Sequence, residues 1–207
     1  MRKLIRLVKG GIDLAKRGLD KASVIAAAAE LANENGLDGL SLKDLANRLE
    51  IRSPSLYNHI SGLDELKREI MLYGWEQLGD AVVKAAEEHS GYDAIKAMCR
   101  AFYRYAAENK GVFGAMLWYN KYADESSMNA TAAMFSQLYK TLGEVGISRE
   151  MSEHLIRTLR SFLEGFSILV NNGAFGHPAD ISESFELSLD VLVEGMKAAA
   201  ERGNADE

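Results

Sequence analysis

At 207 residues the chain is long enough for one or two domains with a substantial core. It has no apolar run long enough to cross a bilayer and no cleavable signal pattern, and its single cysteine, Cys99, excludes an intramolecular disulfide, so a reducing cytoplasm is expected. The net charge of −6 argues against a polyanionic partner until its distribution is read: residues 1–70 carry 12 Lys and Arg against 10 Asp and Glu, and the acidic excess lies beyond them.

Residues 1–19 interleave Arg2, Lys3, Arg6, Lys9, Lys16 and Arg17 with Leu4, Ile5, Leu7, Val8, Ile12 and Leu14. Three readings stay open: a basic arm adding phosphate or minor-groove contacts, a membrane-surface helix, or an extension without a role. A helix follows over Ser23–Asn35, with Val24, Ile25, Ala28, Leu31 and Ala32 on one face. Its Ala26–Ala29 run suits close approach by another helix, and Asn35-Gly36 is expected to end it in an αL stop.

The stretch 41–60 is the most telling. Ser41 with Asp44 three residues on is a capping-box variant, and Leu42, Leu45, Ala46 and Leu49 follow at helical spacing. Ser53 is expected to cap a second, short helix with Pro54 at its first position. Ile51, Leu56 and Ile60 supply inward contacts, which leaves Ser55, Tyr57, Asn58 and His59 facing out. A helix that presents such side chains is built to touch something outside the protein, and a helix-turn-helix in a DNA major groove explains it best.

With these residues in view, 20–70 resembles the DNA-binding domain of the TetR family of bacterial transcriptional regulators. The likeness is carried by Ala28–Ser41, by the Asp-Leu-Ala-x-x-Leu of 44–49, by Ser-Leu-Tyr-Asn-His at 55–59 and by Asp-Glu-Leu at 64–66. Two positions depart from the family pattern. Glu50 stands where the family usually has a turn glycine, and a positive φ there would cost roughly 1 kcal/mol. Leu63 stands where a phosphate-holding Lys is usual, which weakens that clamp or passes part of its work to Lys67. The DNA-facing set read here is Ser41, Lys43, Arg52, Ser53, Ser55, Tyr57, Asn58 and His59. Asn58 suits bidentate pairing with adenine, and Tyr57 suits packing on sugar and phosphate. Ser41, Lys43 and Arg52 would hold the backbone without reading sequence.

From residue 71 to 203 the pattern is helical throughout, and the expected fold is all-α. The expected spans are 63–89, 91–109, a short one near 111–121, 125–145, 148–173 and 181–201, with the boundary between the two domains inside a helix near 70–75. Cys99 sits among Met98, Ala101 and Phe102 and reads as a core thiol. Phe102–Phe113 and Arg160–Phe166, followed by Gly173-Ala174-Phe175, resemble a TetR-family C-terminal domain. Glu164 replaces the His usual in that subtype, so no role of that His transfers.

The resemblance implies a small-molecule inducer pocket between these helices. The candidates are Phe102, Tyr103, Phe113, Met116, Trp118, Phe135, Tyr139, Phe162 and Glu164, from a region also rich in Tyr105, Tyr119 and Met134. Taken one at a time, each of these residues is better read as core. The resemblance also implies a homodimer through 148–173 and 181–201, whose wide apolar faces include Leu155, Leu159, Phe166, Leu169, Phe185, Leu187, Val191 and Met196. A dimer would set two recognition helices on a pseudo-palindromic operator in double-stranded DNA. No cofactor, metal or catalytic set is expected. Glu150, Glu153, His154 and Arg157 share a helix face but lack a metal-binding motif, and no phosphate loop, dinucleotide fingerprint or nucleophile elbow is present. The expected function is a ligand-responsive repressor. The alternatives are a small-molecule sensor with impaired DNA binding and, behind it, an all-helical enzyme.

Overall fold

Asp20, three residues ahead of the expected Ser23, opens the first helix: its carboxylate accepts from the Ser23 N–H at 2.7 Å, and α1 runs Lys21–Asn35. This is the first element of a computed structural model that describes residues 19–117 and 124–205. The basic residues of 1–18, and Trp118 and Tyr119, lie outside the described residues. Gly36 ends α1 with φ 76° and ψ 160°, a positive-φ stop outside the αL well expected from the sequence.

Helix α2, Leu42–Arg48, is capped as expected, with Ser41 Oγ accepting from the Asp44 N–H at 3.1 Å. The turn after it holds Glu50 at φ 55°, the one non-glycine with positive φ among the described residues. Helix α3, Ser53–Leu56, corrects the cap assignment. The Arg52 carbonyl accepts from the Ser55 N–H at 2.9 Å, so Arg52 is the N-cap residue and Ser53 already lies inside the helix. The helix has no side-chain cap, because the guanidinium of Arg52 only donates and cannot accept from an N–H of the first turn. Beyond Leu56 the chain tightens: the N–H groups of Tyr57, Asn58 and His59 each bond three residues back.

Helix α4, Leu63–Glu87, is the axis of the molecule. It packs on α1 and on α5 (Gly91–Glu108), α6 (Lys110–Met116) and α7 (Glu125–Glu144). The last two helices, α8 (Arg149–Asn171) and α9 (Ile181–Ala205), pack on each other and on α5. Among the described residues there is no strand, and the expected helices recur with ends shifted by a few residues. Asp124 and Ser148 supply N-caps for α7 and α8 by accepting from the N–H groups of Ser127 and Met151. One hydrophobic core runs from Val24 and Leu45 through Ile70, Trp75 and Met98 to Leu189 and Met196.

Close backbone approach, expected at Ala26–Ala29, occurs one turn later on α1. A Cβ on Gly111 of α6 would lie 1.8 Å from the Ala32 carbonyl oxygen, so only glycine fits. Asn33 seals the joint, its Oδ1 accepting from the N–H groups of Gly111 and Val112, both at 3.0 Å, and its Nδ2 donating to Asn109 Oδ1. An α1 side chain thereby satisfies the first amides of α6, which has no side-chain cap of its own. Among the described residues no helix is long and apolar enough to cross a membrane.

Candidate DNA-contacting turn and buried cavity

Leu45, Leu49, Leu56 and Ile60 are buried where α2 packs against α3 and against α1. That anchoring fixes which side chains remain outside. Tyr57 is 59% exposed, an uncommon state for a large aromatic, and Lys43, Arg52, Ser53 and Asn58 are exposed around it. Ser55 and His59 are half-buried and sit at the rim of this surface. The Ser41 hydroxyl accepts from the Asp44 N–H and donates to Asp44 Oδ2 at 2.5 Å, so a phosphate reaching it would compete with the helix cap.

Salt bridges brace this unit from behind. Arg48 pairs with Glu30 and Glu34 of α1, and Lys21 pairs with Glu65 and Glu69 of α4 at 3.3 and 2.9 Å. Leu63 is the first residue of α4, half-buried, and gives that helix start no charge. Glu65 there accepts from the Ser61 N–H at 2.6 Å; hydrogen bonding from the Ser61 side chain and backbone, with Lys21 beside it, pulls its carboxyl down to about 2.

The second feature is a cavity of about 40 Å³ lined by four helices. Trp75 and Val82 come from α4, Met98, Cys99 and Phe102 from α5, Met134, Phe135 and Leu138 from α7, and Ile156, Leu159, Arg160 and Leu163 from α8. Burial pushes the Cys99 thiol up to about 12, so it lines the wall as a neutral group. Arg160 Nε donates to Glu164 Oε1 at 2.6 Å, and its guanidinium lies 5.9 Å from the centre of the Trp75 ring.

Of the nine ligand candidates, Phe102 and Phe135 line this cavity, and Glu164 reaches it through Arg160. The other candidates among the described residues lie elsewhere. Tyr103 stacks on Phe185 at 4.2 Å, and Phe162 stacks on the same ring at 5.6 Å, within an aromatic cluster that also holds Phe166. Phe113 meets Phe102 edge-on at 6.0 Å, and Met116 is buried where α6 crosses Gly74. Tyr139 lies beneath the Arg149 guanidinium at 3.3 Å, and Trp118 is outside the described residues. Sequence reasoning missed Trp75, Val82 and Arg160 as wall residues. Trp75 and Val82 stand seven residues apart on one face of α4, a spacing that was open to reading. Among the described residues no group of three or more His, Cys, Asp and Glu side chains could hold a metal ion, and Glu153 and His154 point outward from α8.

A helix-turn-helix on a long axial helix, followed by a helical body around an internal cavity, is the build of a one-component transcription regulator. Residues 24–70 match the model for bacterial regulatory proteins of the tetR family, and 95–192 match the tetracyclin repressor-like C-terminal domain. The uncharacterized HTH-type transcriptional regulator YobS of Bacillus subtilis is 33% identical over 180 residues, covering 86% of this chain and 93% of that protein. The chain belongs to the TetR family of transcriptional regulators. The class D tetracycline repressor of Escherichia coli is 47% identical, but over only 57 residues, 26% of either chain. The fold is also that of a solved TetR variant from Acinetobacter baumannii AYE in complex with minocycline, with TM-score 0.65 and 21% identity, covering 88% of this chain and 98% of that one.

Proposed function

We propose that this regulator is a dimeric repressor that leaves its operator when a small, largely apolar or aromatic ligand enters the α4–α5–α7–α8 cavity. One observation carries the reading. Helix α4 is unbroken between the two features: Glu65 and Glu69 near its start are bonded to Lys21 of the DNA-binding unit, and Trp75 and Val82 further along form cavity wall. A ligand that displaces Trp75 must therefore tilt the helix on which α1 rests. The Asn33–Gly111 joint gives a second route, through α6. The reading assigns residues 20–70 to DNA and 71–203 to ligand and dimer contacts.

At the operator, Asn58 reads a base edge in the major groove, Tyr57 packs on sugar and phosphate, and Ser53, Ser55 and His59 flank them. Lys43 and Arg52 hold phosphates. Dimerisation through α8 and α9 is supported by Leu187 and Val191, 67% and 64% exposed on one face of α9, and by Ile168 and Leu169, exposed on α8. The open faces of Gly165 and Gly195 let two such helices come close. Release asks only for differential affinity: a coupling of about 3 kcal/mol weakens DNA binding roughly 150-fold.

The test is binding of the full chain to its own upstream DNA, titrated with salt and non-specific competitor, beside Tyr57→Ala. Tight, competitor-resistant binding lost in the variant, with the dimer intact, is the expected result. Uniformly weak, steeply salt-dependent binding by both proteins would favour a sensor with impaired DNA reading, which Glu50 and Leu63 also suit.

A further inference from the structure

We propose that the ligand of this cavity is an apolar carboxylate, whose hydrocarbon or aromatic body fills the four-helix wall and whose carboxylate takes Arg160 from Glu164. This rests on the reading of the cavity as the effector site and adds the chemical class. Eleven of the twelve wall residues are hydrocarbon, aromatic or sulfur-bearing, and Arg160 is the one ionised side chain among them. No acidic residue belongs to the wall; Glu164 stands behind Arg160, one helical turn on, and touches it at Nε. The Cys99 thiol stays neutral and adds no negative charge.

The electrostatics select the ligand. An ammonium-bearing molecule would meet the like charge of Arg160, with the nearby Glu164 carboxylate already bonded to that guanidinium. A neutral one would fill the wall and gain at most a single uncharged-acceptor hydrogen bond from Arg160. A carboxylate accepts from a guanidinium in a planar, two-bond geometry that no other side chain of this wall offers. The exchange conserves charge at Arg160, since one carboxylate replaces another, and it frees Glu164 to turn to solvent. At about 40 Å³ the cavity is far smaller than the roughly 300–1,000 Å³ of a site for a drug-sized ligand. Filling it therefore requires the wall to spread, and Met98 and Met134, unbranched and easily re-rotated, are the residues that give way.

The full chain would be titrated calorimetrically with octanoate, 1-octanol and octylammonium, which share one hydrocarbon body and differ in charge. Octanoate is expected to bind wild type about tenfold more tightly than octanol, with octylammonium weakest. Arg160→Met should abolish the octanoate advantage while octanol affinity stays within about threefold. Glu164→Gln, which removes the internal competitor, should tighten octanoate alone. This second variant carries the test if Arg160→Met fails to fold, as read by its melting curve. Octanol or octylammonium matching octanoate in wild type, or no octanoate gain in Glu164→Gln, would overturn the carboxylate assignment and leave the effector cavity standing. Failure of all three probes to bind would overturn both.

Discussion

Glu50 shows how one residue records a compromise between backbone and side chain. Its φ of 55° places an L-residue in the left-handed region, at a cost of about 1–2 kcal/mol. The turn nevertheless forms, because the Ile51 N–H still reaches the Ala46 carbonyl at 3.0 Å and Leu49 beside it is buried. Glycine removes the steric cost but loses more entropy on folding, which offsets part of the gain. Glu50→Gly should therefore stabilise the chain by about 0.5–1 kcal/mol in urea denaturation. Lower stability in the variant would mean that the Glu50 carboxylate makes an interaction that outweighs the strain. At the same scale, which side chains of this turn stay exposed was largely legible from sequence. Leu56 and Ile60 are apolar and must turn inward, and in so short an element that leaves few places for Tyr57 and Asn58. The Ser53 cap was misread because a Ser before Pro has the right composition, while the position of the cap is set by which carbonyl accepts first.

Between elements, the α1–α6 joint is close enough to require glycine at 111, and no periodicity announces it. Asn33 lies near the polar end of α1, and Gly111 follows an Asn-Lys that reads as a simple break. Their meeting depends on how α4 sets α1 and α6 side by side. Gly111→Ala would press a methyl group onto the Ala32 backbone, where no side chain can rotate away. Overpacking of this kind costs about 1–3 kcal/mol. In a chain of this size that lowers the melting temperature by roughly 2–4 °C for each kcal/mol. An unchanged melting curve would show that α6 can shift away from α1 freely, and would remove this joint as a transmission route. The nine ligand candidates belong to the same scale. Aromatic residues on α5 and α8 were recognised as a set, but the same composition serves an aromatic cluster around Phe185 and a cavity around Trp75. Only the packing of four helices separates the two.

For the whole molecule, α8 and α9 present more apolar surface than one chain covers. Leu159, Leu163, Phe185, Leu189, Val193 and Met196 turn into the core, whereas Leu187 and Val191 face out one turn apart. The double substitution Leu187→Lys with Val191→Lys places two charges in the proposed dimer interface and leaves the core untouched. It should yield a helical monomer by light scattering and reduce operator binding by at least about 100-fold, since two half-sites are then no longer held together. A dimer that survives these changes would place the interface elsewhere.

The sequence by itself determined the helices, the capped helix-turn-helix, the polar turn at 55–59 and the kind of regulator this is. Those features are local: caps, turn residues and a 3.6-residue period act within one or two turns of the chain. The tertiary structure decided which aromatic residues fill space and which enclose it, and it brought Arg160 against Trp75 from helices 85 residues apart. It also locked Asn33 onto Gly111. The physical reason is that periodicity tells a helix which face to bury but not what that face will meet. A cavity, a borrowed cap and a cation set beside an aromatic ring are all properties of what meets.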